Sequence, residues 1–214
     1  MPTTLLLVRA GETLFCSQGR LLGRRDIGLT AQGKQQAEQA LRFIGDLEVS
    51  EILSSPLARA IQTADVLAER FRLGVGRDPR LVDLDVGKWE GALWDDLLAD
   101  RAFTDFFAGE ARCFPDGEEL EVARRRAITS IEEAGDDNPL GATLVVVTHG
   151  AIIQLVLAHY LGMPTGAFVR LQVDHGSVSV VRFFSDMQPG QVLGINLDVS
   201  LASALAGARP LGSD

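Results

Sequence analysis

Thr3 to Arg9 (TTLLLVR) and Thr143 to Thr148 (TLVVVT) are short, nearly unbroken apolar runs. Strands buried on both faces read this way, so both predict central strands of a parallel sheet. Gly11 and Gly150 follow the two runs closely, as at strand ends. Ser50 to Ser54 is a weaker run of the same kind. Phe168 to Val173 and Val178 to Phe184 alternate, which predicts two peripheral strands. Between these runs, apolar positions recur every three or four residues. Ala31 to Ile44 gathers Ala37, Ala40, Leu41 and Ile44 on one face, with Thr30 as a predicted N-cap. Leu57 to Phe71 repeats the pattern through Ala60, Ile61, Ala64 and Leu67. Glu118 to Ala134 and Ala151 to Leu161 give a third and a fourth helix. Alternating strand and helix predict an α/β protein: a three-layer α/β/α sandwich around a mostly parallel central sheet.

No internal repeat or linker interrupts the chain, so residues 1–201 read as one domain. Trp89 to Pro115 is less regular and crowds Phe103, Phe106, Phe107 and Phe114 together. Its part from 92 to 115 predicts an insertion folded over the sheet. Residues 202–214 are small and Gly/Pro-containing, and predict a flexible tail.

Composition narrows the function classes. The 214 residues are 46% hydrophobic and 23% charged, an ordinary globular mix that excludes disordered and collagen-like classes. Twenty basic residues against 29 acidic ones give a net charge of −9. Such a chain is a poor partner for nucleic acid or an anionic membrane. Any affinity for an anion must come from a local positive island. No apolar run approaches the ~20 residues that span a bilayer. Leu5 to Val8 follows no basic region and does not read as a signal peptide. Cys16 and Cys113 are too few for a disulfide framework, which leads us to expect a cytoplasmic protein. The histidines lack metal-ligand spacing, and there is no Walker loop or dinucleotide glycine fingerprint. Neither a metal nor a cofactor is expected.

Three strand ends carry polar residues: Arg9 to Thr13, Ser54 to Arg59, and Thr148 to Gly150. Doubly wound sheets bind ligands beyond the carboxyl ends of their strands. Convergence of these three ends places two arginines and a histidine in one pocket, suited to a phosphate.

LLLVRAGET resembles the first signature of the histidine phosphatase superfamily, also called phosphoglycerate mutase-like, which reads Arg-His-Gly-Glu-Thr. Gly23 to Glu38 is similar to the family's second block, and Ile52 to Ala64, with Ser-Ser-Pro and Arg59, to its third. Asp83 to Gly91, Pro115 to Glu119 and Val145 to Gly150 resemble three further blocks. All six stand in family order across residues 3–184.

The resemblance implies that a histidine in the first block attacks phosphorus and becomes phosphohistidine. Here that position is Ala10. A methyl group has no lone pair, so this side chain is no nucleophile. Two origins are open. One is a His→Ala replacement that abolishes turnover or traps substrate, and the other is a natural pseudoenzyme. The retained arginines favour the first.

By the same resemblance Arg9, Arg59 and His149 hold the phosphoryl group. Asp83 is the general acid, with Asp85 as the alternative. Gly11, Thr13, Cys16 and Gly150 border the substrate, Thr13 as either a phosphate contact or a helix cap. Cys16 stands where the family has Asn, and the acid block reads Val-Asp rather than Arg-Glu. His159 reads as structural, and His175 is left between structure and site. The basic cluster Arg20, Arg24 and Arg25 reads as solvated surface or as an anion-attracting rim.

The compact Val86 to Gly91 form resembles the phosphatase branch more than the mutases. The expected activity is hydrolysis of a small soluble phosphomonoester, and the chain with Ala10 is expected to bind phosphate without turning it over. The alternatives are a natural non-catalytic binder and a phosphoglycerate mutase. Residues 92–115, with Trp94, are expected to shape the organic part of the substrate. The oligomeric state is left open, a homodimer included.

Overall fold

The computed structural model describes residues 2–108, 113–183 and 190–198. The strands are β1 (Thr3–Arg9), β2 (Glu51–Ser54), β3 (Val75–Arg77), β4 (Thr143–Thr148), β5 (Val178–Phe183) and β6 (Gln191–Leu197). The helices are α1 (Leu14–Ser17), α2 (Ala31–Ile44), α3 (Ala58–Phe71), α4 (Trp94–Leu97), α5 (Arg101–Phe107), α6 (Leu120–Asp136) and α7 (Gly150–Tyr160). The six strands form one sheet in the order β3-β2-β4-β1-β5-β6. β3, β2, β4 and β1 run parallel, while β5 and β6 are antiparallel additions at one side.

The pleat of β1 divides the core in two. Leu5 and Leu7 join Leu144 and Val146 under α6 and α7. Leu6 and Val8 join Val145 and Val147 under α2 and α3. Period-two alternation within an all-apolar run is what lets one strand feed both layers. The expected three-layer sandwich is therefore present.

Thr30 caps α2 as predicted, its hydroxyl oxygen accepting from Gly33 N at 3.0 Å. The predicted helices over 57–71, 118–134 and 151–161 appear as α3, α6 and α7, with ends shifted by one or two residues. The irregular 92–115 segment supplies α4 and α5. Rings from α5 and from Phe114 beyond it close around Trp89, which meets Phe103 at 5.1 Å and Phe114 at 5.6 Å.

The predicted strand over Phe168–Val173 is not a strand. Thr165–Arg170 is a 3₁₀ turn with Phe168 buried beneath it. Both edges of β1 and both edges of β5 are taken, so the segment joins the sheet at neither. Its apolar residues anchor a crossing over the sheet instead. The final residue of the predicted strand over 178–184 and the tail 202–214 lie outside the described residues.

The strand-end turn after β1 lies directly on the first turn of α2. A Cβ on Gly11 would stand 2.2 Å from Gly33 O, and one on Gly33 would stand 2.2 Å from Glu12 O. Gly11→Ala forces backbone apart at this crossing. The substitution is expected to cost about 1–3 kcal/mol, the usual range for overpacking. The shift in urea midpoint at constant slope measures it.

Candidate active site

The carboxyl ends of β1, β2 and β4 face one cavity of about 210 Å³. Arg9, Ala10, Arg59, Asp83, His149 and His175 all line it. The registers explain the first arrivals. Arg9 pairs with Thr148, and Ala10 N donates to Thr148 O at 2.8 Å, so the ends of β1 and β4 are level. His175 arrives by a different route. β5 runs antiparallel to β1 with Val178 opposite Val8, so the turn before β5 is delivered to the same edge.

Arg59, on the first turn of α3, is buried and heavily committed. Its Nε donates to His149 Nδ1 at 3.1 Å. Nη1 donates to Arg25 O at 3.0 Å, and Nη2 to Gly23 O at 2.7 Å and Asp83 Oδ2 at 3.0 Å. Four of the five N–H donors of an arginine are thus used. Arg9 is freer. Nη1 donates to Val173 O and Nη2 meets His175 Nε2 at 2.9 Å, which leaves three donors without a partner among the described residues. Gly150 makes room for this side chain, because a Cβ there would stand 3.1 Å from Arg9 Cζ.

His149 accepts from Arg59 through Nδ1, which fixes its proton on Nε2, 2.7 Å from Ser55 Oγ. Burial holds its pKa well below the ordinary imidazole value, and Arg59, Arg126 and Arg9 push it further down. His149 is therefore neutral, and its 3.6 Å approach to Asp83 Oδ2 is not an ion pair. Burial raises the pKa of Asp83, against the opposing pull of Arg59. Asp83 Oδ1 accepts from Leu84 N at 2.9 Å.

The candidate Asp85 does not reach the cavity. It accepts from Gly87 N at 3.0 Å and faces Arg24 at 3.5 Å on the surface. Thr13 is a cap, its hydroxyl oxygen accepting from Cys16 N and its hydroxyl donating to Cys16 Sγ. Cys16 and Gly11 line the cavity, as does Arg20. Arg24 bridges Asp85 and Glu118, and Arg25 stacks over Phe15 at 5.1 Å. His159 meets Arg124 on α6, away from the cavity.

Two supporting residues have no role legible in the sequence. Ser55 stands inside the Ser-Ser-Pro block, with nothing there to assign it a partner. Arg126, on α6, donates to Arg80 O, Val82 O and Asp83 O and pairs with Glu118. It clamps the loop that carries Asp83. In sequence it is one of three consecutive arginines, indistinguishable from a solvated charge run.

His175 carries a pH prediction. Burial, then Arg9, pushes its pKa down to about 3. Between about 6.5 and 3 the unfolded chain binds a proton here that the native chain does not. The stability this contributes is full above pH 6.5 and is lost as pH falls through that window. The slope of unfolding free energy against pH between 6.5 and 4 should be shallower in His175→Gln than in the unsubstituted chain.

A deep cationic cleft at the strand ends of such a sandwich defines a protein that handles phosphoryl groups. The family model of the histidine phosphatase superfamily (branch 1) matches residues 5–196, and the chain belongs to that superfamily. It is 32% identical over 180 residues to a probable phosphoglycerate mutase of Erwinia tasmaniensis, covering 82% of each chain. It is similar to a mycobacterial glucosyl-3-phosphoglycerate phosphatase in complex with VO3, at 27% identity and a TM-score of 0.83, covering 90% of this chain and 98% of that one. It also resembles a histidine-to-alanine mutant of phosphoserine phosphatase from Entamoeba histolytica, in complex with phosphoserine. That match has 28% identity and a TM-score of 0.80, covering 91% of this chain and 96% of that one. Among the described residues no helix is long and apolar enough to cross a membrane.

Proposed function

We propose that this chain is a phosphomonoesterase in which Ala10 stands at the position of the nucleophile, so that it binds small phosphomonoesters and does not turn them over. One observation carries the reading. The Ala10 methyl is part of the wall of a cavity that also holds Arg9, Arg59, Asp83 and His149. That is a phosphate site with every group except the attacking nitrogen.

The three unpartnered donors of Arg9 and the remaining one of Arg59 bind phosphoryl oxygens. Burial first, and the arginine field after it, keep His149 and His175 neutral, and an entering dianion opposes both and raises the two pKa values. His149 offers the same oxygens its Nε2–H, which lies 2.7 Å from Ser55 Oγ in the free cavity, and His175 its own ring N–H. Gly11 and Gly150 keep backbone close to the phosphate, Cys16 closes one wall, and Thr13 holds Cys16 in place.

With histidine at position 10 the frame supports two displacements. The imidazole lone pair attacks phosphorus while the ester P–O bond breaks, and Asp83 gives its proton to the leaving oxygen. Asp83, now a carboxylate, takes a proton from water as the water oxygen attacks phosphorus. The P–N bond breaks and inorganic phosphate leaves. The raised pKa of Asp83 suits a group that must start protonated and end as a base. The compact segment at Val86 to Gly91 favours hydrolysis over phosphoryl return to a second substrate. The solved neighbours with phosphoserine, 3-phosphoglyceric acid and VO3 support a small phosphorylated ligand. Cysteine usage supports a cytoplasmic setting.

Titration calorimetry of the chain with inorganic phosphate and p-nitrophenyl phosphate tests the reading. The expected result is binding of both, with no p-nitrophenol released. A folded sample that gives no heat with either would overturn it.

A further inference from the structure

The polar cavity does not end at Asp83. A second cavity of about 250 Å³ adjoins it, and Arg9, Leu21, Leu22, Asp83, Trp94 and Gly150 line both. Beyond this shared part the walls are Phe107, Phe114, Phe168, Val169 and Val173, with Gln154 as the only side-chain amide among the described residues. Among those residues the only charged side chains lining it are Arg9 and Asp83, both at the shared boundary. Gln154 spends an Nε2–H on Leu171 O.

A substrate held by its phosphoryl group at Arg9 and Arg59, with Asp83 beside its ester oxygen, therefore directs its organic group toward an apolar annex. A carboxylate or ammonium lodged there finds no counter-charge, and burying an unpaired charge is strongly unfavourable. An alkyl chain or aromatic ring loses only hydration. Trp94 and Phe107, with ring centroids 5.6 Å apart, form an aromatic wall on one side. Ligand sites of this build, apolar with a few convergent polar groups at one end, fix orientation by the polar end and affinity by the apolar one.

We infer that the natural substrate is a phosphomonoester of an uncharged aromatic or alkyl alcohol, whose organic group fills the annex. This rests on the phosphomonoester reading above and adds the class of alcohol. A sugar phosphate leaves its hydroxyls unpaired against phenylalanine and valine. Phosphoserine and 3-phosphoglycerate bring a second charge. Arg20, on the polar side with one donor committed to Gly91 O, is the cation such a charge could reach instead.

The test uses the chain as it stands, which accumulates bound ester. Calorimetric affinities are compared for inorganic phosphate, ethyl, butyl and hexyl phosphate, 1-naphthyl phosphate, phosphoserine and 3-phosphoglycerate. Each methylene that enters the annex should tighten binding about fourfold. Naphthyl phosphate should bind at least about tenfold tighter than phosphoserine or 3-phosphoglycerate. Val169→Asp should erase the gain of the apolar esters and leave inorganic phosphate unchanged. Phe107→Ala, at a half-buried wall position beyond the shared part, serves the same purpose if Val169→Asp fails to fold. Inorganic phosphate that binds while apolar esters gain nothing overturns the inference and leaves the phosphomonoester reading intact. The inference also falls if 3-phosphoglycerate binds tightest, which would assign its carboxylate to Arg20, or if the variants keep the apolar gain. Failure of every ligand, inorganic phosphate included, overturns the phosphomonoester reading itself.

Discussion

Ala10→His is expected to raise the hydrolysis of p-nitrophenyl phosphate by on the order of a millionfold over the unsubstituted chain. Losses of that size are typical when a nucleophile is removed from a site whose groups act as one unit. Little else in the site must change. Ala10 is buried and packs with the layer of Leu6 and Val8, but it also lines the cavity, and that is the side open to the new ring. Its backbone is pinned by the bond from Ala10 N to Thr148 O. Arg9 and Arg59 beside it disfavour imidazolium, which keeps a lone pair available. Asp83 already stands across the cavity with a raised pKa. Steady-state turnover of the two proteins under the same conditions gives the ratio directly. An Ala10→His protein that binds phosphate and stays inactive would favour a natural binding protein.

Arg59→Met is expected to damage both stability and binding. Methionine keeps much of the length and none of the donors. Asp83 Oδ2, His149 Nδ1, Gly23 O and Arg25 O each lose a partner in a buried setting. Breaking a buried charge pair by removing one member costs about 3–5 kcal/mol, which for a chain of this size lowers Tm by on the order of 10 °C. Protonation of Asp83 offsets part of this, since its pKa climbs further once Arg59 is gone. Arg9→Met should show the opposite balance. Arg9 has fewer internal bonds to lose and more free donors for phosphate, so its variant loses more phosphate affinity and less stability. Calorimetry and thermal unfolding on both variants separate the two roles. Equal effects would contradict the division of labour described for the two guanidinium groups.

The layers were legible because β1 and β4 are apolar on both faces and α2 and α3 on one. The candidate site was legible because Arg9, Arg59 and His149 sit at strand or helix ends, and Asp83 in a loop, all inside recognisable blocks. Other parts left no local trace. β3 is three residues long, shorter than any period can register. The Phe168–Val173 segment alternates like a strand, yet its first half lies in a 3₁₀ turn that buries Phe168. His175 reaches the cavity because β5 is antiparallel, a fact of topology and not of its neighbours in sequence. Arg126 acts across the fold on the carbonyls beside Asp83, and nothing near it in the chain marks it out. The apolar annex likewise draws its walls from segments far apart in the chain.

The most direct measurement is the crystal structure of the Ala10→His protein with orthovanadate. The account predicts vanadium bonded to the introduced imidazole, with oxygens about 2.7–2.9 Å from donors of Arg9, Arg59 and His149 and an apical oxygen beside the Asp83 carboxyl. A vanadate bound elsewhere, with the cavity between these side chains still empty, would contradict it.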